Sequence, residues 1–302
     1  MPSLSARIVN LFLPMLGIKS FFSEPEKVAA RIRKMREKGP DLPGKYIHRD
    51  FDIHVAHDRG YPVYTFTPKG GVTPGAPHIL YLHGGGYIMD VASAHWGFVA
   101  RLCKAVGASA TVPLYPLAPE SKAEKTLPKM QMLYQDLAAA HGAQNITVMG
   151  DSAGGGMTLT LSQMLRDEGA PLPAQLVLLS PWLDATGTHP MQPELEKRDR
   201  MLALVGLKES GRMYAGNLPV TDPRVSPLFG DLHGLPPIQM FAGTWDILLP
   251  DARRLKEKAD TSDNAPTVEY HEYKDMFHVW MLLPIREGKK AMRQIVEFMK
   301  RA

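Results

Sequence analysis

The pentapeptide Gly150-Asp151-Ser152-Ala153-Gly154 joins an apolar stretch, residues 145–150, directly to a helical pattern over 153–168. A serine flanked by glycines at such a junction is typical of a sharp strand-to-helix turn that lifts the serine hydroxyl to the end of a sheet. A phosphate-binding loop would need a lysine after the glycines or the G-x-G-x-x-G spacing, and the sequence has neither. The motif therefore predicts a nucleophilic serine, against the alternative of a glycine-rich turn that only packs helix on sheet.

Short apolar stretches alternate with helical patterns through most of the chain. The apolar stretches predict strands over residues 78–83, 108–115, 145–150, 174–181, 237–243 and 267–273. The helical patterns cover residues 93–106, 127–141, 153–168, 249–260 and 285–301. Two earlier stretches, 46–57 and 61–68, flank Asp58-Arg59-Gly60 and predict an antiparallel hairpin. This succession is typical of an α/β fold with a mostly parallel, eight-stranded sheet that helices cover on both faces.

Residues 1–40 precede the hairpin and carry a helical pattern of their own. Ser23 and Glu26 have the spacing of a capping box and predict a helix start, and Val28 and Ile32 mark one apolar face of that helix. We expect residues 1–40 to form a helical cap segment on the main domain.

A second helical region interrupts the strand-helix alternation after the sixth strand. Residues 184–236 are too many for a bare connection, so they predict an insertion over the sheet edge at which ligands bind. The expected organisation is a cap segment, 1–40, followed by one α/β domain, 41–302, that contains this insertion.

The charge and cysteine content exclude several classes of protein. The net charge is +4, and its two basic concentrations, residues 27–38 and 286–302, read as amphipathic helices with solvated faces. Neither segment carries interleaved aromatic residues or a known nucleic-acid-recognition motif, so we expect no nucleic-acid partner. Cys103 is the only cysteine, which excludes an internal disulfide and a cysteine metal site.

The apolar N-terminal residues do not have the pattern of a membrane span or a secretion signal. Asn10, Pro14 and Lys19 interrupt the apolar run, only Arg7 supplies an early positive charge, and no small-residue cleavage site follows. We expect an amphipathic segment, no stable membrane insertion and a cytoplasmic location, with a peripheral membrane contact as the alternative.

A serine hydroxyl needs a base, and the sequence offers two histidines near its last predicted strand. In the α/β-hydrolase order the acid and then the histidine follow the serine. His278 lies in the loop before the terminal helix, whereas His271 lies inside the strand, where its side chain would point to a face of the sheet. His278 is therefore the predicted base for Ser152.

The histidine in turn needs an orienting carboxylate from the end of the preceding strand. Asp246 occupies the short loop after residues 237–243 and is the predicted acid. Asp251, one helical turn later, and Asp184, at the end of an earlier strand, are the alternatives.

Attack on a carbonyl creates an oxyanion that backbone N–H groups must stabilise. The usual donors are the N–H after the nucleophile, here Ala153, and N–H groups of the loop after the third strand, here His83 to Gly86. Three successive glycines would bring this backbone close to a substrate without a Cβ in the way. His83 and Gly84 are expected to orient the loop, with Tyr87 packed nearby. The chemistry needs neither a metal nor a cofactor.

Five motifs together resemble the hormone-sensitive-lipase-like family of α/β-hydrolase esterases. They are HGGG at 83–86, YPLAPE at 115–120, GDSAGG at 150–155, SPWLD at 180–184 and VSPL at 225–228. The resemblance implies a carboxylesterase for small esters with short or medium acyl chains. It also implies Ser152, Asp246 and His278 as the triad and Gly85, Gly86 and Ala153 as oxyanion donors.

Three residues depart from the pattern of this family. Pro116 stands where Arg is frequent, Gly156 where Asn is frequent, and Val279 where Gly commonly follows the histidine. These departures concern packing and pocket shape, and they remove no catalytic group. The residues expected to line the substrate pocket are Tyr87, Trp182, Leu183 and Met213.

Two other functions are compatible with this sequence. An amidase or formamidase would use the same triad, since the leaving group contacts other side chains. A non-catalytic ligand receptor on this fold, as the plant gibberellin receptors are, would lack the histidine, so the presence of all three residues argues against it. The sequence also allows a homo-oligomer.

Overall fold

An eight-stranded sheet crosses the computed structural model, which describes residues 2–301. Its strands are β1 Phe51–Ala56, β2 Val63–Pro68, β3 His78–Leu82, β4 Ser109–Pro113, β5 Ile146–Asp151, β6 Gln175–Leu179, β7 Ile238–Gly243 and β8 Val268–Tyr273. The order across the sheet is β1-β2-β4-β3-β5-β6-β7-β8. β1 pairs antiparallel with β2, and β2 pairs antiparallel with β4; the remaining neighbours are parallel. The predicted hairpin and mostly parallel sheet are confirmed.

The central strands are buried along their whole length, which explains why the sequence shows them as short apolar stretches. Every residue of β3, β4, β5, β6 and β7 is buried, because helices cover both faces of the sheet. The edge strands β1 and β8 mix buried with partly exposed residues. The six predicted apolar strands each end within two residues of the observed bounds. The first hairpin stretch is shorter than predicted, because Ile47–Arg49 forms a 3₁₀ turn before β1.

Within residues 2–301, ten α-helices accompany the sheet. They are α1 Leu4–Phe12, α2 Ile18–Ser23, α3 Pro25–Lys38, α4 Ser93–Val106, α5 Ala123–His141, α6 Ala153–Asp167, α7 Gln192–Arg198, α8 Leu204–Ala215, α9 Leu249–Thr261 and α10 Arg286–Met299. The bounds of α4 match the prediction, whereas α5 begins four residues earlier than predicted. Proline is common in the first turn of a helix, but Pro128 lies farther inside α5.

The N-terminal helices confirm one part of the sequence prediction and correct another. Val28 and Ile32 are buried on one face of α3, as predicted. The predicted capping box is wrong: Ser23 ends α2, and its Oγ donates to the Lys19 carbonyl at 2.7 Å. Among residues 2–301 no side chain caps α3, whose first residue is instead Pro25.

The N-terminal helices and the region between β6 and β7 pack against each other. Residues 184–236 contain α7, α8 and a 3₁₀ turn, and both α2 and α3 contact α8. A Cβ on Gly206 would collide with the backbone of Phe22, so glycine lets α2 and α8 approach closely. Lys19 Nζ also donates to the Asp199 and Glu196 carbonyls, at 2.5 and 2.6 Å. These contacts fix the N-terminal segment against the region between β6 and β7.

Candidate active site

Ser152 stands alone between β5 and α6, at a backbone geometry that few residues adopt. Its φ is 53° and its ψ is −121°, and such strain costs on the order of 1–3 kcal/mol unless neighbours enforce it. The Ser152 N–H donates to the Leu179 carbonyl at 2.8 Å, and its carbonyl accepts from Trp182 N–H at 2.9 Å. A Cβ on Gly154 would collide with the Leu82 carbonyl, so the helix can start this close to β3 only with glycine there. The sequence folds locally into the predicted elbow.

The loops after β7 and β8 bring Asp246 and His278 together. His278 Nδ1–H donates to Asp246 Oδ2 at 2.8 Å, and Asp246 Oδ1 accepts from the Leu248 N–H at 2.9 Å. Both side chains are almost completely buried. Because the carboxylate holds the proton on Nδ1, the other ring nitrogen, Nε2, can act as a base.

The charge of the site favours a protonated His278. Burial lowers the pKa of this imidazole, but Asp246, then Asp199 and Asp151, outweigh it, so that the net pKa is raised above the ordinary value. Carboxylates so placed stabilise an imidazolium, which is the state that a general base reaches after taking a proton.

Ser152 and His278 line the same cavity. Within residues 2–301, however, no hydrogen bond joins the Ser152 hydroxyl to His278. Hydrogen bonds between nucleophile and base are often loose in ligand-free enzymes and shorten when substrate binds.

The alternative acids and base lie in other contacts. Asp184 pairs with Arg254 at 2.7 Å, and its N–H donates to Asp251 Oδ2 at 3.2 Å. His271 Nε2 bonds to Glu269 Oε1 at 2.8 Å on β8. The structure therefore places Asp246 beside His278 and does not bring Asp184, Asp251 or His271 to that pair.

The glycine loop after β3 presents free amides to the same cavity. Gly85 and Gly86 line it with φ values of 117° and 61°, and neither N–H has an acceptor within residues 2–301. A Cβ on Gly85 would lie 2.5 Å from the Met89 carbonyl oxygen. Ala153 is the first residue of α6, so its N–H has no partner inside the helix. The arrangement offers backbone donors from two sides.

A buried polar network holds this loop, and sequence reasoning recognised only part of it. Asp151 Oδ1 accepts from Tyr81 Oη at 2.6 Å and from Gly84 N–H at 3.0 Å, while Oδ2 lies 3.3 Å from His95 Nε2. Burial raises the pKa of Asp151, but His95 and then Tyr81 lower it by more than burial raises it. The net pKa therefore lies below the ordinary value. His83 Nδ1–H donates to the Gly84 carbonyl at 2.7 Å. The sequence indicates His83 and Gly84 as residues that orient the loop, but not Asp151, Tyr81 or His95.

Asp199 is a further residue near the site that the sequence did not reveal. This buried side chain accepts from Met201 and Leu202 N–H groups, at 2.7 and 2.9 Å, and from Ile247 N–H at 2.9 Å. Burial and then the charge of Asp246 raise the pKa of the Asp199 carboxyl to about 6. One carboxylate thus joins the insertion to the loop that carries the predicted acid. No motif surrounds Asp199 in the sequence, so only the packed structure shows its position.

The cavity has a volume of about 480 Å³ and mainly apolar walls, a size common for small-molecule sites. Its apolar lining includes Leu13, Phe22, Met35, Met201, Leu202, Leu207, Phe277 and Leu282.

The four predicted pocket residues lie outside this lining. Tyr87 stacks on Tyr214 at 3.7 Å and on Trp182 at 5.6 Å, behind the cavity wall. Leu183 is fully buried and Met213 packs against the core. Tyr87, Trp182, Leu183 and Met213 therefore do not line this cavity, whereas several residues of the N-terminal segment do.

The comparisons with known proteins agree on one family. A family profile described as the alpha/beta hydrolase fold matches residues 79–282. A triacylglycerol lipase of Mycobacterium tuberculosis is 36% identical over 203 residues, which cover 66% of this chain and 42% of that protein. The chain therefore spans less than half the length of that relative. An acetyl-hydrolase of Streptomyces hygroscopicus is 33% identical over 229 residues, which cover 74% of this chain and 75% of that protein.

A solved structure extends the similarity to the whole chain. The HSL homologue EstE7 from a metagenome library superposes with a TM-score of 0.82 at 27% identity, covering 100% of this chain and 99% of its own. The sheet order, the elbow and the family match lead to one assignment. This chain belongs to the alpha/beta hydrolase fold family and, within it, to the hormone-sensitive-lipase-like carboxylic ester hydrolases.

Proposed function

We propose that this chain hydrolyses carboxylic esters with short or medium acyl chains through an acyl-enzyme on Ser152. The observation that carries the proposal is the common opening of Ser152, His278 and the glycine-loop amides on one apolar cavity. A relative supports the ester class, because the triacylglycerol lipase is named for the cleavage of an ester.

In the proposed mechanism, His278 Nε2 takes the proton of the Ser152 hydroxyl as Oγ attacks the ester carbonyl. The N–H groups of Gly85, Gly86 and Ala153 stabilise the oxyanion, and His278 then protonates the leaving alkoxide. Water, deprotonated by the same imidazole, attacks the acyl-enzyme; the acid leaves and the serine regains its proton.

The N-terminal segment, 1–40, and the insertion, 184–236, act in this proposal as one cap on the domain of residues 41–302. Leu13 and Phe22 from the first and Met201 and Leu207 from the second supply cavity walls. A cap of this kind excludes water and selects the acyl chain. A cytoplasmic location stays a prediction from the sequence.

A series of p-nitrophenyl esters tests the substrate class. We expect high kcat/KM for the acetate, butyrate and octanoate and a decline for the laurate, because a cavity of about 480 Å³ limits the length of the acyl chain that it can hold. The matched amide, p-nitroacetanilide, should be cleaved far more slowly. Preferred cleavage of the amide would contradict the proposal and favour the amidase alternative.

The position of Asp199 predicts an effect on the pH profile. Asp199 raises the pKa of His278, and the base must be neutral to act. Replacing Asp199 with Asn removes the negative charge, so the pKa of His278 should fall. The acid limb of the kcat/KM profile is then expected to move to lower pH by about half a unit or more.

The control for this variant is Asp184→Asn, which also removes a buried carboxylate from the insertion but one paired with Arg254. Both variants should lose stability in thermal unfolding, yet only Asp199→Asn should shift the pH profile. Equal profiles for the two variants would reduce Asp199 to a purely structural role.

A further inference from the structure

Helix α1 has apolar residues on the face that points away from the protein. Its inward face is buried through Ala6 and Asn10, as expected for a surface helix. Leu4, Ile8 and Leu11 follow at spacings of four and three residues on the other face, and Leu4 and Leu11 are 71% and 67% exposed. A surface helix ordinarily carries polar residues there, whereas this face exposes apolar side chains to water.

The exposed apolar surface continues past the end of the helix. Phe12 is 54% and Met15 is 79% exposed. We call Leu4, Ile8, Leu11, Phe12 and Met15 the outer apolar face. Within residues 2–301, six of the thirteen exposed large hydrophobic side chains lie between positions 4 and 16, the sixth being Leu16. Such a concentration marks an interaction surface, whereas isolated exposed hydrophobic residues do not.

The segment that bears this face has a net positive charge. Residues 1–40 contain eight Lys and Arg and three Asp and Glu, a net charge of +5, whereas the other 262 residues carry 27 basic and 28 acidic side chains, a net charge of −1. The first acidic residue of the chain is Glu24. Exposed Arg7, Arg33 and Lys34 form no ion pair within residues 2–301. The positive charge of the protein is therefore concentrated in the segment that bears the outer apolar face.

The outer apolar face also adjoins the mouth of the cavity. Leu13 and Leu16, in the turn after α1, line the cavity, as do Ile18 and Lys38 farther along the segment. Ser3 fixes the start of α1 to α10, with its N–H and Oγ donating to the Glu287 carboxylate at 2.6 and 2.7 Å. A surface that binds this face would thus lie next to the entrance for substrate.

We propose that the outer apolar face docks on an anionic lipid surface, with residues 1–40 supplying the positive charge. The apolar side chains would enter the boundary between headgroups and acyl chains, and the basic residues would remain among the headgroups. A second copy of the chain fits less well, since two such contacts would bring segments of charge +5 together. Among residues 2–301, no helix is long and apolar enough to cross a bilayer.

Flotation of the full chain with vesicles tests this inference. We expect binding to mixed phosphatidylcholine–phosphatidylglycerol vesicles, much weaker binding to pure phosphatidylcholine, and loss of binding at high salt. The triple variant Leu11→Gln, Phe12→Gln, Met15→Gln should reduce partitioning at least about tenfold. None of these three side chains lines the cavity, so turnover of p-nitrophenyl butyrate in buffer should stay unchanged.

The matched control is Val72→Gln, Met132→Gln, Met191→Gln, which removes three exposed hydrophobic side chains elsewhere and should bind vesicles like the wild type. Thermal unfolding verifies the fold of both variants independently of any esterase activity. Equal binding to both vesicle types, or equal binding by the two triple variants, would overturn the proposal. So would concentration-dependent self-association, lost in the first triple variant, in a chain that binds no vesicles.

Discussion

Ser152→Ala is expected to lower kcat/KM for p-nitrophenyl butyrate by at least about 10⁴-fold, because no other hydroxyl replaces the nucleophile of a triad. The strained backbone at Ser152 is held by hydrogen bonds to Leu179 and Trp182, which alanine preserves. The fold should therefore survive, and thermal unfolding of the variant should match that of the wild type. Loss of the acyl-enzyme burst in stopped-flow kinetics would accompany the loss of turnover.

A second serine on the same helix gives the control. Ser162 is buried in α6, and its Oγ donates to the Thr158 carbonyl at 3.1 Å, remote from the cavity lining. Ser162→Ala should keep activity within about twofold. Wild-type turnover in Ser152→Ala would remove the acyl-enzyme from the mechanism altogether.

The local parts of this molecule could be predicted from its sequence. Residues 145–150 and 153–168 carry strand and helix patterns on either side of Ser152, and the elbow between them follows from that junction. The central strands were equally readable, because burial on both faces makes each a continuous apolar stretch. Asp246 and His278 were found by their places at strand ends, since the carboxyl ends of neighbouring parallel strands meet at one edge.

The parts that depend on packing between distant segments could not be predicted. Asp199 contacts Ile247 across 48 positions of sequence, and Asp151 reaches Gly84 across 67. The lining of the cavity also depends on packing between distant segments. Tyr87 stacks on Tyr214 of the insertion outside the lining, whereas residues of the N-terminal segment line the cavity.

Two of the departures from the family pattern acquire physical meaning in the structure. A Cβ on Gly156 would collide with the Trp182 carbonyl, so the asparagine frequent at this position would not fit here. Val279 adopts a φ of 49°, which is uncommon for a β-branched residue, and its N–H donates to Ser180 Oγ at 3.2 Å. The residue that follows His278 thus carries strain that glycine would avoid. The structure gives no account of Pro116.

Asp246→Asn should lower kcat by about 10³ to 10⁴-fold while leaving the fold intact. The amide NH₂ cannot accept the Nδ1–H of His278, so the imidazole turns or changes tautomer and Nε2 no longer presents a lone pair to Ser152. The comparison is Asp251→Asn. Burial and then the neighbouring Asp184 raise the pKa of Asp251 well above its usual range, so its surroundings disfavour the charged form, and an amide of nearly the same shape carries no charge.

We expect Asp251→Asn to retain activity within about threefold, since its amide oxygen can still accept from the Asp184 N–H. Steady-state kinetics of the two variants, measured beside their thermal unfolding, separate the roles of the two residues. A larger loss of kcat in Asp251→Asn at unchanged stability would transfer the orienting acid to α9. The two aspartates are equally buried and lie close in sequence, but only Asp246 accepts a hydrogen bond from His278. A larger loss of kcat in Asp246→Asn would therefore reflect that hydrogen bond.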